Sequence, residues 1–270
     1  MRRLLCVLAL LLSAPALLAS EMRVEGTAIV VTDESGQERR GAELDGAELD
    51  LGAIGTLRIV KSSLDAQARF PDEVWLLQGE LRAPGMSQFE SICTPDASGD
   101  TRMVIYSGYF DDEFRYVAAS ERFSVSCVSG VEGKCLRWGY LPWRKAPIGG
   151  ASLAPYYESC IRLARADYCG DDQPTTRDGT SIDIYDRVGV QQPTPDLADY
   201  HFEAGWGTRG ALCVHHARIA DNLVLGDLPG NCPRLSTQVI GAVCDEQRAS
   251  ELGALLFNRS KISAVAVASP

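Results

Sequence analysis

Short apolar runs separated by turn residues dominate the first half of the chain. Residues 22–31 read as one β-strand, closed by Asp33-Glu34-Ser35-Gly36. Residues 56–61, 73–81, 102–110, 123–128 and 135–140 are also apolar and rich in β-branched or aromatic side chains, with Gly, Pro, Asp and Ser between them. Such residues suit a pleated, half-buried surface, so these runs predict a β-rich module. Residues 115–122 instead suit one or two helical turns. The pentad G-A-E-L-D occurs at 41–45 and again at 46–50, ahead of L-G-A-I-G. Leu44, Leu49 and Ile54 therefore recur at a spacing of five. Inward-pointing side chains of a local stack of turns would do so, and so would a chance duplication beside a hairpin.

The pattern changes at Pro147-Ile148-Gly149-Gly150, a hinge sequence. Ser152 suits an N-cap and Pro155 a first turn, predicting a helix that runs to Tyr168. Leu153, Tyr157, Cys160, Ala164 and Tyr168 form its apolar stripe, and Gly170 suits the residue after its C-cap. Asp178-Gly179 predicts a tight turn, followed by an alternating run over 180–185 with Ile182 and Ile184 on one face. Residues 191–197, with two prolines, form a loop. Residues 201–206 and 211–217 predict a hairpin across Gly207-Thr208-Arg209-Gly210. Residues 219–228, 238–244 and 248–258 read as helical or mixed, and 263–270 as a frayed end. The expected fold class is α+β: a β-rich module over 21–146, then a disulfide-braced α+β module over 151–262.

The first 20 residues change how the rest is read. Arg2 and Arg3, the apolar run 4–12 and the small residues Ala14, Ala16, Ala19 and Ser20 have the form of a secretory signal peptide. The run is too short to span a membrane, and no second long apolar run follows. The formal net charge is −10, and loss of this segment, with two cations and no acid, takes it to −12. An acidic surface disfavours nucleic acid and anionic lipid as partners. The expected setting is secreted or periplasmic, with an unspecified envelope or extracellular ligand.

Cys6 falls in the apolar run of the leader, leaving Cys93, Cys127, Cys135, Cys160, Cys169, Cys213, Cys232 and Cys244. An even number in an oxidising compartment predicts four disulfides. No C-x-x-C pair spells a zinc or thioredoxin-type site. On one continuous helix Cys160 and Cys169 would lie about 13 Å apart along the axis, so they are not expected to pair. Cys127 and Cys135, flanking a glycine-containing turn, are the likeliest local pair. Cys232 and Cys244 form a second candidate pair, unless a helix between them forbids it.

A combination of motifs resembles a known family. Ala166-Asp167-Tyr168-Cys169-Gly170, Thr176-Arg177-Asp178-Gly179-Thr180 and Ile184-Tyr185-Asp186 are its centre. Phe202-Glu203-Ala204-Gly205-Trp206, Gly210-Ala211-Leu212-Cys213-Val214 and Cys232-Pro233-Arg234-Leu235 continue it, with Gly139-Tyr140-Leu141-Pro142-Trp143 upstream. Together, over about 127–244, they resemble the ADYC domain of exported bacterial proteins. The resemblance implies an envelope or secreted location. It carries over no activity, cofactor or catalytic residue.

Candidate chemistry is sparse. If the hairpin turn is symmetric, His201, Glu203 and His216 share one face, a set that suits a zinc-like ion. The opposite face, with Phe202, Ala204, Trp206, Ala211, Cys213 and His215, reads as core. Asp178, Asp183, Glu203 and Trp206 are the binding candidates; paired carboxylates among them would suit glycoside hydrolysis at the right separation. The acidic residues from Asp167 to Asp186 do not follow an EF-hand ladder. No G-x-S-x-G elbow is present. Tyr140 and Trp143 read as a packing corner or a sugar-stacking edge. Asn258-Arg259-Ser260 has the form of a glycosylation sequon. The expected function is therefore a non-catalytic binding or structural module without cofactor; the alternative is an extracytoplasmic hydrolase using a metal or paired carboxylates.

Overall fold

The computed structural model describes residues 19–262. The leader sequence up to residue 18 and the C-terminal stretch from 263 lie outside the described residues. The apolar run at 22–31 folds into two strands, because Gly26 adopts φ 60° and turns the chain. Strands β1 (Ala19–Glu25), β2 (Ala28–Asp33) and β3 (Glu38–Arg40) form an antiparallel sheet with Val24 opposite Ile29. Thr27 pins the turn: its hydroxyl donates to the Glu73 carbonyl and accepts the Trp75 amide.

The pentad repeat gives a short 3-10 turn (Gly41–Leu44), strand β4 (Glu48–Asp50) and a second 3-10 turn (Gly52–Ile54). Leu44 and Leu49 are buried, but Ile54 is 57% exposed, so the spacing of five points inward only twice. Next come β5 (Thr56–Leu64), β6 (Trp75–Arg82), β7 (Glu90–Ser91) and β8 (Met103–Ser107). Strands β9 (Tyr109–Phe110) and β10 (Tyr116–Val117) form a separate ladder, correcting the helical reading of 115–122. With β11 (Phe123–Cys127) the main sheet is complete in the order β11-β8-β6-β5-β4, with β7 paired to β6.

Helix α1 (Val131–Arg137) replaces the strand expected over 135–140. Gly133 explains the difference. Its amide donates to the Ser126 hydroxyl, and a Cβ there would sit 2.7 Å from the Cys127 carbonyl oxygen. The helix can start only by packing a bare glycine on the end of β11. Tyr140 and Leu141 then bury fully, and the Tyr140 hydroxyl donates to Asp186, so this segment is a packing corner. Helix α2 (Ala154–Arg165) ends earlier than expected, at Ala166 in the left-handed conformation with φ 50°. Every residue from Tyr157 to Leu163 is buried, including Glu158 and Arg162, so α2 is enclosed and not merely amphipathic.

The C-terminal sheet contains β12 (Asp183–Asp186), β13 (Tyr200–Gly207), β14 (Gly210–Val214) and β15 (Leu256–Lys261) in the order β12-β15-β13-β14. Short helices α3 (Leu228–Asn231) and α4 (Glu246–Glu251) lie between β14 and β15. The segment 248–258 is mixed: its start lies in α4 and its end, from Leu256, in strand β15. The strand occupies an interior position and buries Asn258, the acceptor position of the sequon.

Two hydrophobic clusters result. One draws on both sides of Pro147, joining Val74, Val104 and Tyr106 to Tyr157, Trp206 and Phe257. The other lies within the N-terminal strands, from Val24 to Ile105. The architecture is α+β with four disulfides: Cys93–Cys127, Cys135–Cys160, Cys169–Cys232 and Cys213–Cys244, at Cα separations of 5.2–5.9 Å. Cys127 does not pair with Cys135, because α1 carries Cys135 across to α2. Cys232 does not pair with Cys244; Cys169 and Cys213 take them instead. Cys160 and Cys169 are apart, as expected, although the chain leaves the helix before Cys169 is reached.

Candidate functional site

The residues Ala166 to Gly170 tie the two halves of the C-terminal region together. Ala166 stops α2. The buried Asp167 carboxylate then accepts the amides of Gly170, Asp171 and Asp172 at 2.8–3.2 Å and pairs with Arg162. Tyr168 stacks on Trp206 with ring centroids 5.1 Å apart. Its hydroxyl donates to Glu203 at 2.9 Å and accepts the Arg218 amide at 2.9 Å. Cys169 is bridged to Cys232. Gly170 sits with φ 72°, and a Cβ there would come within 2.1 Å of the Arg209 carbonyl oxygen. The Arg234 guanidinium closes the turn on the carbonyls of Tyr168, Cys169, Arg209 and Ala211.

Most of the binding candidates are spent inside this framework. Trp206 pairs with Ala211 as the turn predicts, but Leu212 is bulged, so Gly205 faces Cys213. Against β15 a second bulge makes Glu203 the extra residue between Phe202 and Ala204. The Glu203 side chain is thereby aimed inward, where Arg218 grips it with two bonds of 3.0–3.1 Å. Burial pushes the Glu203 carboxyl up, but the Arg218 charge and hydrogen bonds outweigh it and leave its pKa below the ordinary carboxylate value. The His216 ring contacts only backbone carbonyls, Ala217 at 3.2 Å and His201 at 3.4 Å, and His201 is exposed. The His201, Glu203 and His216 metal set is therefore not assembled. Among the described residues no group of three His, Cys, Asp or Glu comes together as a metal site. Asp183 is buried against Arg259 and Thr194, and the Trp206 indole N–H donates to Asn258 at 2.7 Å.

Asp178 is the exception. It stands exposed on its turn, in a cleft with two lobes of about 1010 and 740 Å3. The first lobe runs along Val125, Ser126 and Cys127 of β11 and residues 94–97. The second runs past Ala164, Arg165 and Pro174 to Ile182. Lys134, Trp138 and Asp178 line both lobes, so they mark the junction.

The charges of the cleft divide into two sets. Arg137 pairs with Asp65, Arg165 with Asp172 and Arg177 with Asp221. The Glu132 carboxylate accepts the Tyr106 hydroxyl at 2.8 Å. Burial raises its pKa, and the Tyr106 hydrogen bond and the Arg165 charge only partly counter this. Lys134 and Asp178 have no side-chain hydrogen bond or ion pair among the described residues. The two unpaired charges thus line both lobes, as does the half-buried Trp138. Sequence reasoning missed Glu132, Lys134 and Trp138 because it read 129–133 as a turn and 135–140 as a strand, with no helix joining them. The spacing of Val131, Cys135 and Leu136, apolar at i, i+4 and i+5, was the available signal for α1.

A family model for the ADYC domain matches residues 41–220. The chain belongs to the ADYC domain family. The ADYC match starts well before the motif set at 127–244 and includes the six-stranded sheet from β4 onward, α1, α2 and every residue lining the junction. It ends before Cys232 and Cys244, which close two of the disulfides, and before β15. No curated protein and no solved structure matches the chain.

Proposed function

We propose that this chain is an exported, disulfide-stabilised envelope or secreted protein that binds a ligand in the two-lobed cleft without acting on it chemically. One observation carries the reading: Lys134, Trp138 and Asp178 line both lobes while the other charged side chains of the cleft are already engaged. An unpaired cation, an unpaired carboxylate and an aromatic face are the groups that give a mixed polar and apolar cleft its specificity. The buried charges elsewhere, Glu203 with Arg218 and Arg162 with Asp167, are locked in internal pairs and support architecture. Four disulfides are compatible with an oxidising compartment. No helix among the described residues is long and apolar enough to cross a membrane.

The test is a thermal-shift screen of the disulfide-intact protein against oligosaccharides, short peptides and free amino acids, alongside cell fractionation. The expected result is recovery from periplasm or culture medium, and a rise in Tm with at least one class. That rise disappears in Trp138→Ala and Asp178→Asn. Stabilisation by no class, or stabilisation indifferent to both substitutions, overturns the reading.

Glu132 favours a second reading, the extracytoplasmic hydrolase. A carboxyl with a raised pKa in a cleft is the group a general acid requires. Turnover of chromogenic glycosides or esters by the wild type, abolished in Glu132→Gln, would replace the binding reading with this one.

A further inference from the structure

Apart from the two-residue β7, which pairs only with β6, the two larger sheets have four terminal strands, and three of these are protected. On β14, the Ala211 amide donates to the Tyr168 carbonyl at 3.0 Å, Arg234 covers the Ala211 carbonyl, and Val214 bridges to Ile240. On β12, the Asp186 amide donates to Gln191 and the Asp183 carboxylate holds Thr194. Strand β4 is three residues long and carries Glu48 and Asp50, charges that discourage pairing. Strand β11 has none of these devices. Its sequence F-S-V-S-C contains no charge and no proline, and its register with β8 runs without a bulge from Phe123 to Cys127.

The direction of its backbone groups follows from three hydrogen bonds. The Gly108 amide donates to the Arg122 carbonyl and the Val128 amide to the Arg102 carbonyl, so even-numbered residues face β8. The Gly130 amide takes the Cys127 carbonyl from the other side. Phe123 and Val125 therefore present N–H and C=O to the open edge, and no other backbone group of the described residues bonds them there. Val125 lines the first lobe of the cleft, and its side chain is 42% exposed.

We propose that β11 accepts an extended peptide as an added strand in the first lobe. The peptide places an acidic group over Lys134, a basic group toward Asp178 and an apolar side chain against Trp138. Main-chain hydrogen bonds to Val125 supply affinity, and the junction residues supply specificity. The mixed charge of the peptide follows from the one unpaired charge of each sign at the junction. This inference rests on the cleft being the binding surface, and adds the ligand class and its mode of binding.

The test uses the full exported chain as bait for a random heptapeptide display library, with each enriched peptide resynthesised and titrated by fluorescence polarisation. Val125→Pro removes only an outward N–H, which an edge strand tolerates. Val125→Lys serves as a second block, with circular dichroism reporting the fold of both. The expected result is enrichment of peptides that carry both an acidic and a basic residue. Their affinity falls about tenfold in Val125→Pro, the worth of one or two main-chain hydrogen bonds. It also weakens in Lys134→Met, and less so in high salt for that variant than for the wild type. Peptides that need Lys134 and Trp138 but bind Val125→Pro equally overturn strand addition and leave the cleft reading standing. Binding confined to oligosaccharides does the same. Enrichment of no peptide and no sugar overturns both. A wild-type dimer in light scattering that Val125→Lys dissolves overturns the peptide in favour of a second copy of this chain.

Discussion

The smaller hydrophobic cluster packs Val24, Leu44, Leu49, Leu57, Ile59 and Ile105 around one disulfide, Cys93–Cys127. The larger contains Trp206, Tyr157 and Phe257, touches the other three disulfides, and encloses Glu203, Arg218, Arg162 and Asp167. The first is a dry aliphatic core that any well-packed set of similar volume would satisfy. The second has covalent bridges and buried charges whose partners must all be present at once. Stability in the two regions should therefore respond to different insults.

Arg218→Met should have the largest effect. It leaves Glu203 buried and uncompensated, at a cost of about 3–5 kcal/mol in urea denaturation. The same pair sets a pH response. The folded pKa of Glu203 lies below its unfolded value, so its contribution is complete above the ordinary carboxylate range, and it fades as pH falls through the folded pKa. Arg218→Met should remove that acid-side loss, visible as a flatter Tm profile below about pH 4. In the dry cluster, Leu49→Ala should cost about 2–4 kcal/mol with no change in pH dependence. A pH-dependent loss there would show that the two regions are not chemically distinct. Cys93→Ser with Cys127→Ser removes that region's only staple, and should cost about 2–3 kcal/mol by the same measurement. Glu132→Gln should have the smallest effect. The raised folded pKa of Glu132 means that its stabilisation belongs to low pH and is lost as pH rises through that value. The variant should therefore lose less stability than the wild type between acid and neutral pH.

Legibility also differed between the regions. Most N-terminal strands could be read because apolar residues and turn formers alternate locally, and Gly207 and Gly210 fixed the late hairpin for the same reason. Strand β15 was hidden. Asn258 and Arg259 look like surface residues until Trp206 and Asp183, both more than fifty residues away in sequence, supply partners, and Ser260 is buried beside them. The bulge at Glu203 was invisible because it depends on that same strand. The number of disulfides followed from counting, but their pairing depended on where α1 and α2 begin and end. Within the site, only Asp178 was identified beforehand, because a turn aspartate is legible locally and a cleft between distant segments is not.

The interior position of Asn258 has a practical consequence for making the protein. A eukaryotic secretory host attaches oligosaccharide to nascent chains at such triplets, before the last strand has entered its sheet. A sugar tree on that amide and the Trp206 indole cannot share the same space. Material carrying the tree would be excluded from the native structure, so production belongs in a host without that machinery, or in an Asn258→Asp background that keeps an acceptor for the indole.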